Sequence, residues 1–169
     1  MGLLRRNNLE LILDKKEFDR ISFSGEWKKD KKVRGVINYR NGNKYEGQLF
    51  NDLLHGKGIT TYADGSVYSG DYQNGERNGS GILTFPDGGK YDGRWSKDKK
   101  HGMGEYRYAN GNIYKGKFEN GTRNGLGLLW FPSGNLFQCT YKNDCRDDLV
   151  SIIYKDNGDT AEVEYQDSM

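Results

Sequence analysis

Aromatic residues and glycines alternate with polar residues over short stretches of this chain. In the segment YSGDY, Tyr68, Gly70 and Tyr72 fall on one face of an extended strand, and Ser69 and Asp71 fall on the other. The segment GSGILTF at residues 79–85 alternates in the same way. A period of two over five to seven residues, rich in aromatic side chains and bounded by Asn-Gly or Asp-Gly, predicts β-strands rather than helices.

The same pattern returns every 23 residues. The Y-x-G motif starts the copies at Tyr45, Tyr68, Tyr91 and Tyr114, and Phe137 starts the next copy. Each of the four copies that start with tyrosine continues with H/N-G-x-G and closes with Asp-Gly, Asn-Gly or Ser-Gly. A weaker copy precedes these with one residue deleted, the motif decays after residue 137, and a half unit follows. About six units plus a terminal half strand are therefore predicted, and repeats of this length stack on their neighbours.

Each copy is predicted to be a β-hairpin. Its inner loop is expected to be a variable, charged stretch such as Lys97–Lys100, and the Asp-Gly or Asn-Gly pair is expected to make a two-residue turn into the next copy. Glycine inside a strand marks a close approach, so each first-strand tyrosine is expected to lie across glycines of the neighbouring strand. The predicted fold is all-β, an elongated single-layered antiparallel sheet of consecutive β-hairpins.

Three segments follow from this pattern. Residues 1–22 form an N-terminal capping segment, residues 23–165 form the hairpin array, and residues 166–169 form a C-terminal tail. The capping segment contains LELIL, which fits a strand or a short helix. We favour the strand, because the first edge of the sheet needs cover.

Composition excludes several classes of protein. Mean hydropathy is −0.95 and 34% of residues are hydrophobic, which is too little for a conventional core. The aromatic residues (12 Tyr, 7 Phe, 3 Trp) are nevertheless too many for a disordered tail. Residues 1–44 carry 12 Lys and Arg against 6 Asp and Glu, and residues 143–169 carry 2 against 8. The opposite charges of the two ends can steer a partner or pair molecules head to tail, and solubility is the plainer interpretation.

The repeated pattern resembles the MORN repeat (membrane occupation and recognition nexus). It consists of Y-x-G-x-(W/F/Y), then H/N-G-x-G, then an aromatic residue and D/N-G, at 23-residue spacing over about residues 23–165. The resemblance implies a single-layered sheet of hairpins and a role in binding or scaffolding proteins, and sometimes membranes, in settings such as cilia and cytoskeletons. The last copy departs from the pattern, with Cys139, Asp148 and Val150 in place of glycines.

No catalytic constellation accompanies this pattern. His55 and His101 occupy the same repeat position two units apart, about 19 Å by the strand spacing, so they cannot share a metal ion or a proton relay. The Gly-x-Gly motifs lie on strands rather than before a helix, so they do not indicate a phosphate loop. We expect no enzymatic activity, no cofactor, no metal ion and, because the charge is nearly balanced, no nucleic-acid partner.

Three groups of residues are predicted to contact partners. The first is the aromatic face, where large rings resemble the anchors of protein interfaces: Tyr68, Tyr72, Phe85, Tyr91, Trp95, Tyr108, Tyr114, Phe118 and Phe131. The second is an apolar patch on the opposite face near the C-terminal end, suited to docking or self-association unless residues 159–169 cover it: Leu126, Leu128, Trp130, Leu149 and Ile153. The third is a basic edge: Lys28, Lys29, Lys31, Lys32, Lys97, Lys99 and Lys100.

The favoured function is a non-enzymatic scaffold that binds a protein partner within a larger assembly. No apolar run reaches the length of a membrane span and the start lacks a signal-peptide pattern, so a cytoplasmic location, associated with the cytoskeleton or a cilium, is expected. The alternative is a peripheral membrane module that binds anionic phospholipid through the basic hairpin loops.

Overall fold

A single antiparallel sheet contains every strand that the structure describes. The structure, a computed structural model, describes residues 20–146, 150–153 and 160–163. The strands are β1 (Arg20–Lys28), β2 (Lys31–Tyr39), β3 (Lys44–Phe50), β4 (Leu53–Thr61), β5 (Val67–Gln73), β6 (Glu76–Thr84), β7 (Lys90–Ser96), β8 (Lys99–Arg107), β9 (Ile113–Glu119), β10 (Thr122–Trp130), β11 (Leu136–Lys142), β12 (Cys145–Arg146), β13 (Val150–Ile153) and β14 (Thr160–Val163).

Strand order in the sheet follows the order of the sequence. Each strand from β1 to β11 pairs with the next, and β13 and β14 continue the sheet. The return strand of the last hairpin is in two pieces. One piece, β12, pairs with one end of β11, and the other, β13, pairs with the opposite end. The all-β, single-layered architecture predicted from the sequence is confirmed.

The hairpins turn at two-residue connections along one long edge of the sheet. Asn74 and Gly75, which join β5 to β6, both have positive φ, at 52° and 87°. Positive φ at both turn residues matches the twist of the flanking strands. The inner loop predicted at Lys97–Lys100 is therefore shorter than expected: Lys97 and Asp98 form the turn, and Lys99 already belongs to β8.

The connections between hairpins on the other long edge are longer than predicted. At residues 85–89, the Phe85 carbonyl accepts a hydrogen bond from the Gly88 N–H at 3.0 Å. The Asp87 carboxylate accepts another from the Gly89 N–H at 2.8 Å, and Asn41, Asp64 and Asn110 act in the same way in other connections. The Asp-Gly pair is needed here because a short acceptor side chain closes the turn and glycine supplies the positive φ.

A row of glycines crosses the sheet and carries the repeated tyrosines. The paired glycines run through Gly47, Gly58, Gly70, Gly81, Gly93, Gly104, Gly116 and Gly127. A Cβ atom added at Gly104 would lie 2.6 Å from the Tyr91 hydroxyl oxygen, and one added at Gly81 would lie 2.2 Å from that of Tyr68. The tyrosine rings therefore lie flat against the backbone, as the strand glycines predicted.

Aromatic rings from successive hairpins interlock on this face of the sheet, which we call the tyrosine face. Tyr91 contacts Trp95 of its own strand and Phe118 of the next hairpin, both edge to face, at 5.3 and 5.0 Å between ring centroids. Tyr68 contacts Tyr72 and Trp95 in the same way. Edge-to-face pairs add to the gain from burial, so the rings form one continuous core instead of separate cores.

Some predictions fall beyond the described residues. Most of the capping segment (residues 1–19), Leu149 and the tail at 166–169 lie outside them. From the segment 1–22, Arg20, Ile21 and Ser22 belong to β1, which pairs with β2 at the N-terminal edge of the sheet.

Candidate partner-binding surface

Six of the nine aromatic residues predicted to contact a partner are buried in the core. Tyr68, Tyr91 and Tyr114 have no exposed surface. Tyr72, Trp95 and Phe118 are 3–5% exposed, with their rings against those tyrosines. The prediction that these side chains face a partner is corrected, because their rings are used to cover glycines and one another.

The other three residues belong to a half-buried row that we call the aromatic rim: Tyr39, Tyr62, Phe85, Tyr108 and Phe131. The rim follows the long edge with the five-residue connections, on the tyrosine face, and its members pack only partly against the core. Tyr106 extends the rim inward, with ring centroids 4.6 Å from Tyr108 and 5.7 Å from Phe85. Partly exposed aromatic rings in a row are suited to contact with another protein.

Cations from the return strands lie on the tyrosine face beside the buried rings. We call Lys32, Arg77, Lys100 and Arg123 the cation row. The Arg77 guanidinium lies 4.2 Å from the Trp95 ring centroid, and that of Arg123 lies 4.3 Å from Tyr141. Such placement over a ring stabilises a cation and covers the ring from solvent.

Three members of the cation row are paired with carboxylates from the next hairpin turn. Arg77 binds Asp98 at 3.1 Å and Arg123 binds Asp144 at 2.8 Å, each through Nε and Oδ1, and Lys32 lies 3.2 Å from Asp52. The Asp98 and Asp144 backbone N–H groups also donate to the carbonyls of the same arginines, at 3.1 Å in both cases. Each pair therefore ties one hairpin to the next.

Sequence reasoning missed the cation row, although its signal was present. Arg77, Lys100 and Arg123 are 23 residues apart, and Asp98 and Asp144 each follow an arginine by 21 residues. Of the cation row, the sequence pattern predicted a role only for Lys32 and Lys100, as members of the basic edge. The spacing of charges across neighbouring copies, rather than within one copy, would have revealed the pairing.

The face opposite the tyrosine face is polar and carries a shallow groove. The groove has a volume of about 460 Å³, and Arg34, Glu46, Lys57 and Asp92 are among the residues that line it. Ion pairs connect neighbouring strands on this face, such as Lys57 with Asp71 at 2.7 Å. Exposed apolar side chains are scattered among the charges at Ile59, Met103 and Leu126.

The second predicted patch is present in part. Leu126 is 59% exposed, whereas Leu128, Trp130 and Ile153 are half-buried. Strand pairing places Trp130 opposite Ile113 on one side and Leu136 on the other, and Leu136 pairs with Ile153. Ile113 and Leu136 therefore extend the patch beyond the predicted residues. Its role in docking or self-association stays a prediction.

The basic edge divides into exposed and half-buried lysines. Lys28, Lys29, Lys31, Lys97 and Lys99 are exposed, at the ends of hairpin turns along the same long edge. Lys32 and Lys100 point instead onto the tyrosine face, where each lies over aromatic rings. The prediction that these two lysines project from the basic edge is therefore corrected, because both belong to the cation row.

The remaining candidate chemistry is sparse in the described part of the chain. His55 packs against the ring of Phe50 at 5.5 Å, and Cys139 is buried while Cys145 is exposed, both as free thiols. Within residues 20–146, 150–153 and 160–163 no cluster of three or more His, Cys, Asp or Glu side chains is placed to hold a metal ion. The same residues include no helix of the length and apolarity that crossing a membrane requires.

Comparison with known families matches the units derived from the sequence. The model of the MORN repeat matches residues 23–44, 45–67, 68–90, 91–113 and 114–136. These segments begin at the same tyrosines, and at Phe23, as the 23-residue copies. Fold and repeat together define a repeat protein built as a single-layered sheet of hairpins. The chain belongs to the MORN repeat family.

Comparison with solved structures finds matches, of which two are described. The TCP domain of SAS-4 (dCPAP) from Drosophila melanogaster, in complex with a proline-rich motif of Ana2 (dSTIL), matches with a TM-score of 0.52 at 16% identity, over 80% of this chain and 74% of that chain. The TCP10 domain of CPAP from Danio rerio, in complex with a STIL peptide, matches with a TM-score of 0.29 at 14% identity, over 85% and 84%. The first similarity shows the fold alone, and the second is too low to support an argument. Comparison with curated protein sequences gives no match.

Proposed function

We propose that this chain is a non-enzymatic scaffold that binds a protein partner and docks in a larger cytoplasmic assembly, of the cytoskeletal or ciliary kind. The observation that carries the proposal is the aromatic rim beside the cation row. Tyr62, Phe85, Tyr108 and Phe131 recur every 23 residues, and each is only partly buried. A row of accessible rings with cations beside it offers a partner both apolar contact and charge.

Membership of the MORN repeat family and the similarity to the SAS-4 TCP domain support a protein-binding role. That domain has a related fold and was solved with a bound proline-rich motif. The described residues form one layer, so an extended protein segment lying across the strands would find a long, preformed surface.

Site-specific photo-crosslinking in the native cell tests the proposal. A photoreactive residue placed at Tyr108, on the aromatic rim, is expected to capture a discrete protein. The same residue placed at Met103, which is 66% exposed on the opposite face, serves as the control. Capture of the same proteins in equal amounts from both positions, or no capture at Tyr108, would count against partner binding at the rim.

The alternative function is peripheral binding to anionic membranes. Lys28, Lys29, Lys97 and Lys99 are exposed on one long edge, and the two hairpin turns are about 29 Å apart by the strand spacing. Flotation with phosphatidylserine vesicles tests this proposal, since binding by surface lysines fades as salt screens the charges. Substitution of these four lysines by glutamine should abolish flotation if the edge binds lipid, and absence of flotation at low salt would refute it.

A further inference from the structure

Lys100 occupies the same place as Arg77 and Arg123 in the repeat, but it lacks their carboxylate. The Gly121 backbone N–H donates to the Lys100 carbonyl at 2.9 Å, just as Asp98 donates to Arg77 and Asp144 to Arg123 at 3.1 Å. The backbone tie between hairpins is thus intact. Gly121 has no side chain, however, so no counterpart of the Asp98 and Asp144 carboxylates is present.

The place where that carboxylate would lie is open. A Cβ atom built on Gly121 meets no other atom within 4 Å. The Lys100 ammonium nitrogen lies on the tyrosine face, 4.6 Å from the ring centroid of Tyr106 and 5.7 Å from that of Phe118. In the described part of the chain no carboxylate forms an ion pair with this lysine.

The charge of Lys100 is therefore poorly compensated. Burial lowers its pKa, and the positive charges of Arg123 and Arg77 act in the same direction. Asp144 acts in the opposite direction, but its carboxylate is already bound to the Arg123 guanidinium at 2.8 Å. A half-buried cation without a counter-ion gains more from an added carboxylate than an exposed lysine does.

We propose that Lys100 and the open space at Gly121 receive one carboxylate side chain, Asp or Glu, from a protein segment bound along the tyrosine face. The inference rests on the proposed function and specifies the chemistry of its partner. Asp98 and Asp144 show that the fold accepts a single carboxylate at this position of the repeat. The Tyr106 ring lies beside the Lys100 ammonium group and contacts the Tyr108 ring of the aromatic rim, so a segment that contacts the rim can reach the ammonium group.

A single substitution, Gly121→Asp, fills the site from within the chain. Asp98 and Asp144 adopt positive φ of 63° and 68° at the equivalent turn position, whereas Gly121 and Gly75 have φ of 100° and 87°, so aspartate at either glycine carries backbone strain. Gly75→Asp is the matched control, because it adds a carboxylate at the equivalent turn, where Leu54 takes the place of the cation. Because both variants bear this strain, Gly121→Asp should give a higher urea midpoint of unfolding than Gly75→Asp, and Lys100→Met should remove that advantage. Equal effects of Gly121→Asp with and without Lys100 would overturn the inference.

Selection of peptides on the full chain tests the ligand. Random peptides displayed on phage and selected on the wild-type chain should be enriched in Asp or Glu at one position. A selected peptide should lose about tenfold or more in affinity when that residue becomes Asn or Gln, and also when the protein carries Gly121→Asp. Gly75→Asp should leave the affinity unchanged.

The alternative outcomes are distinct. Peptides that bind but show no acidic position would overturn this inference and leave the protein-binding function standing. A selection that yields no peptide would overturn both. Phosphatidylserine vesicles serve as a separate probe: if they float wild-type chain and not Gly121→Asp, the site takes a lipid headgroup and the inference is wrong.

Discussion

The two faces of this sheet use the same strands but obey different rules. At the first position of successive units, the tyrosine face carries Tyr45, Tyr68, Tyr91, Tyr114 and Phe137. At the very next position, on the opposite face, the chain carries Glu46, Ser69, Asp92, Lys115 and Gln138. One position is nearly constant and the adjacent one accepts either charge or none, although both lie on the same strands.

This difference indicates which face stabilises the array. On the tyrosine face each ring fills a fixed space over glycines, so its shape is specified by the backbone beneath it. On the opposite face the side chains extend from an ordinary β-strand into solvent, where most substitutions change stability little. The tyrosine face therefore holds the repeats together, and the opposite face is free to vary between repeats.

High pH should have the largest effect on stability, and it should act through the tyrosine face. Burial raises the pKa values of Tyr45, Tyr68, Tyr72, Tyr91 and Tyr114. The unfolded chain loses these protons from about pH 10 upward while the folded chain keeps them, so the free energy of unfolding falls as the pH rises above about 10. Tyrosinate absorbance and circular dichroism should change together in one cooperative step. Ionisation of the tyrosines well before the loss of β-structure would contradict their burial.

Removal of one repeated ring should have the next largest effect. Tyr91→Ala removes a ring with no exposed surface and its edge-to-face contacts to Trp95 and Phe118, so a loss of about 3–5 kcal/mol in the free energy of unfolding is expected. The adjacent Asp92→Ala, on the opposite face, should cost no more than about 0.5 kcal/mol. Urea unfolding of the two variants measures the difference, and similar losses would refute the division of roles between the faces.

A methyl group placed under the same ring should cost less. A Cβ atom at Gly104 meets three atoms of Tyr91 within 2.8 Å, so Gly104→Ala must displace the ring, at about 1–3 kcal/mol. The conflict is specific to that ring. In a Tyr91→Ala background, Gly104→Ala should therefore cost much less, and a double-mutant cycle from urea unfolding measures the coupling. Additive losses would show that Gly104 is needed for another reason.

Much of this architecture could be predicted from the sequence, because the period of 23 and the alternation of faces are local patterns. The row of glycines predicted that Tyr68 and Tyr91 lie flat on the neighbouring strand, and they do. The same alternation could not tell that these rings are fully buried, because their cover comes from other units: Trp95 belongs to one copy and packs on Tyr68 of the previous one. Exposure depends on stacking between units, which single-copy patterns do not contain.

The sequence predicted the two-residue turn between hairpins, whereas the structure has it within each hairpin. The reason is related. Asn-Gly and Asp-Gly favour either a two-residue turn or a longer turn closed by the Asn or Asp side chain. The two-residue turn is made in one hairpin by Lys97 and Asp98, which carry no glycine signal, and the ion pair with Arg77 of the preceding hairpin holds Asp98 in place. In other hairpins the same turn is made by Asn74-Gly75 and Asn120-Gly121, where local preference and the observed turn agree.

The smallest expected change in stability comes from two closely matched ion pairs, one on each face of the sheet. Lys57 pairs with Asp71 on the opposite face at 2.7 Å, and Arg77 pairs with Asp98 on the tyrosine face at 3.1 Å. The Lys57 side chain is 74% exposed and the Arg77 side chain 17%. Distance alone would make Lys57 the stronger pair, whereas burial makes Arg77 the more important residue.

Alanine substitution separates these two effects. Lys57→Ala should change the free energy of unfolding by no more than about 0.5 kcal/mol, because an exposed pair is screened by water and salt. Arg77→Ala should cost about 1–2 kcal/mol, since it also removes the guanidinium from the Trp95 ring at 4.2 Å and the tie to the next hairpin. Urea unfolding at low and high salt measures both. A loss at Lys57 equal to that at Arg77 would mean that the polar face holds the array together as firmly as the tyrosine face does.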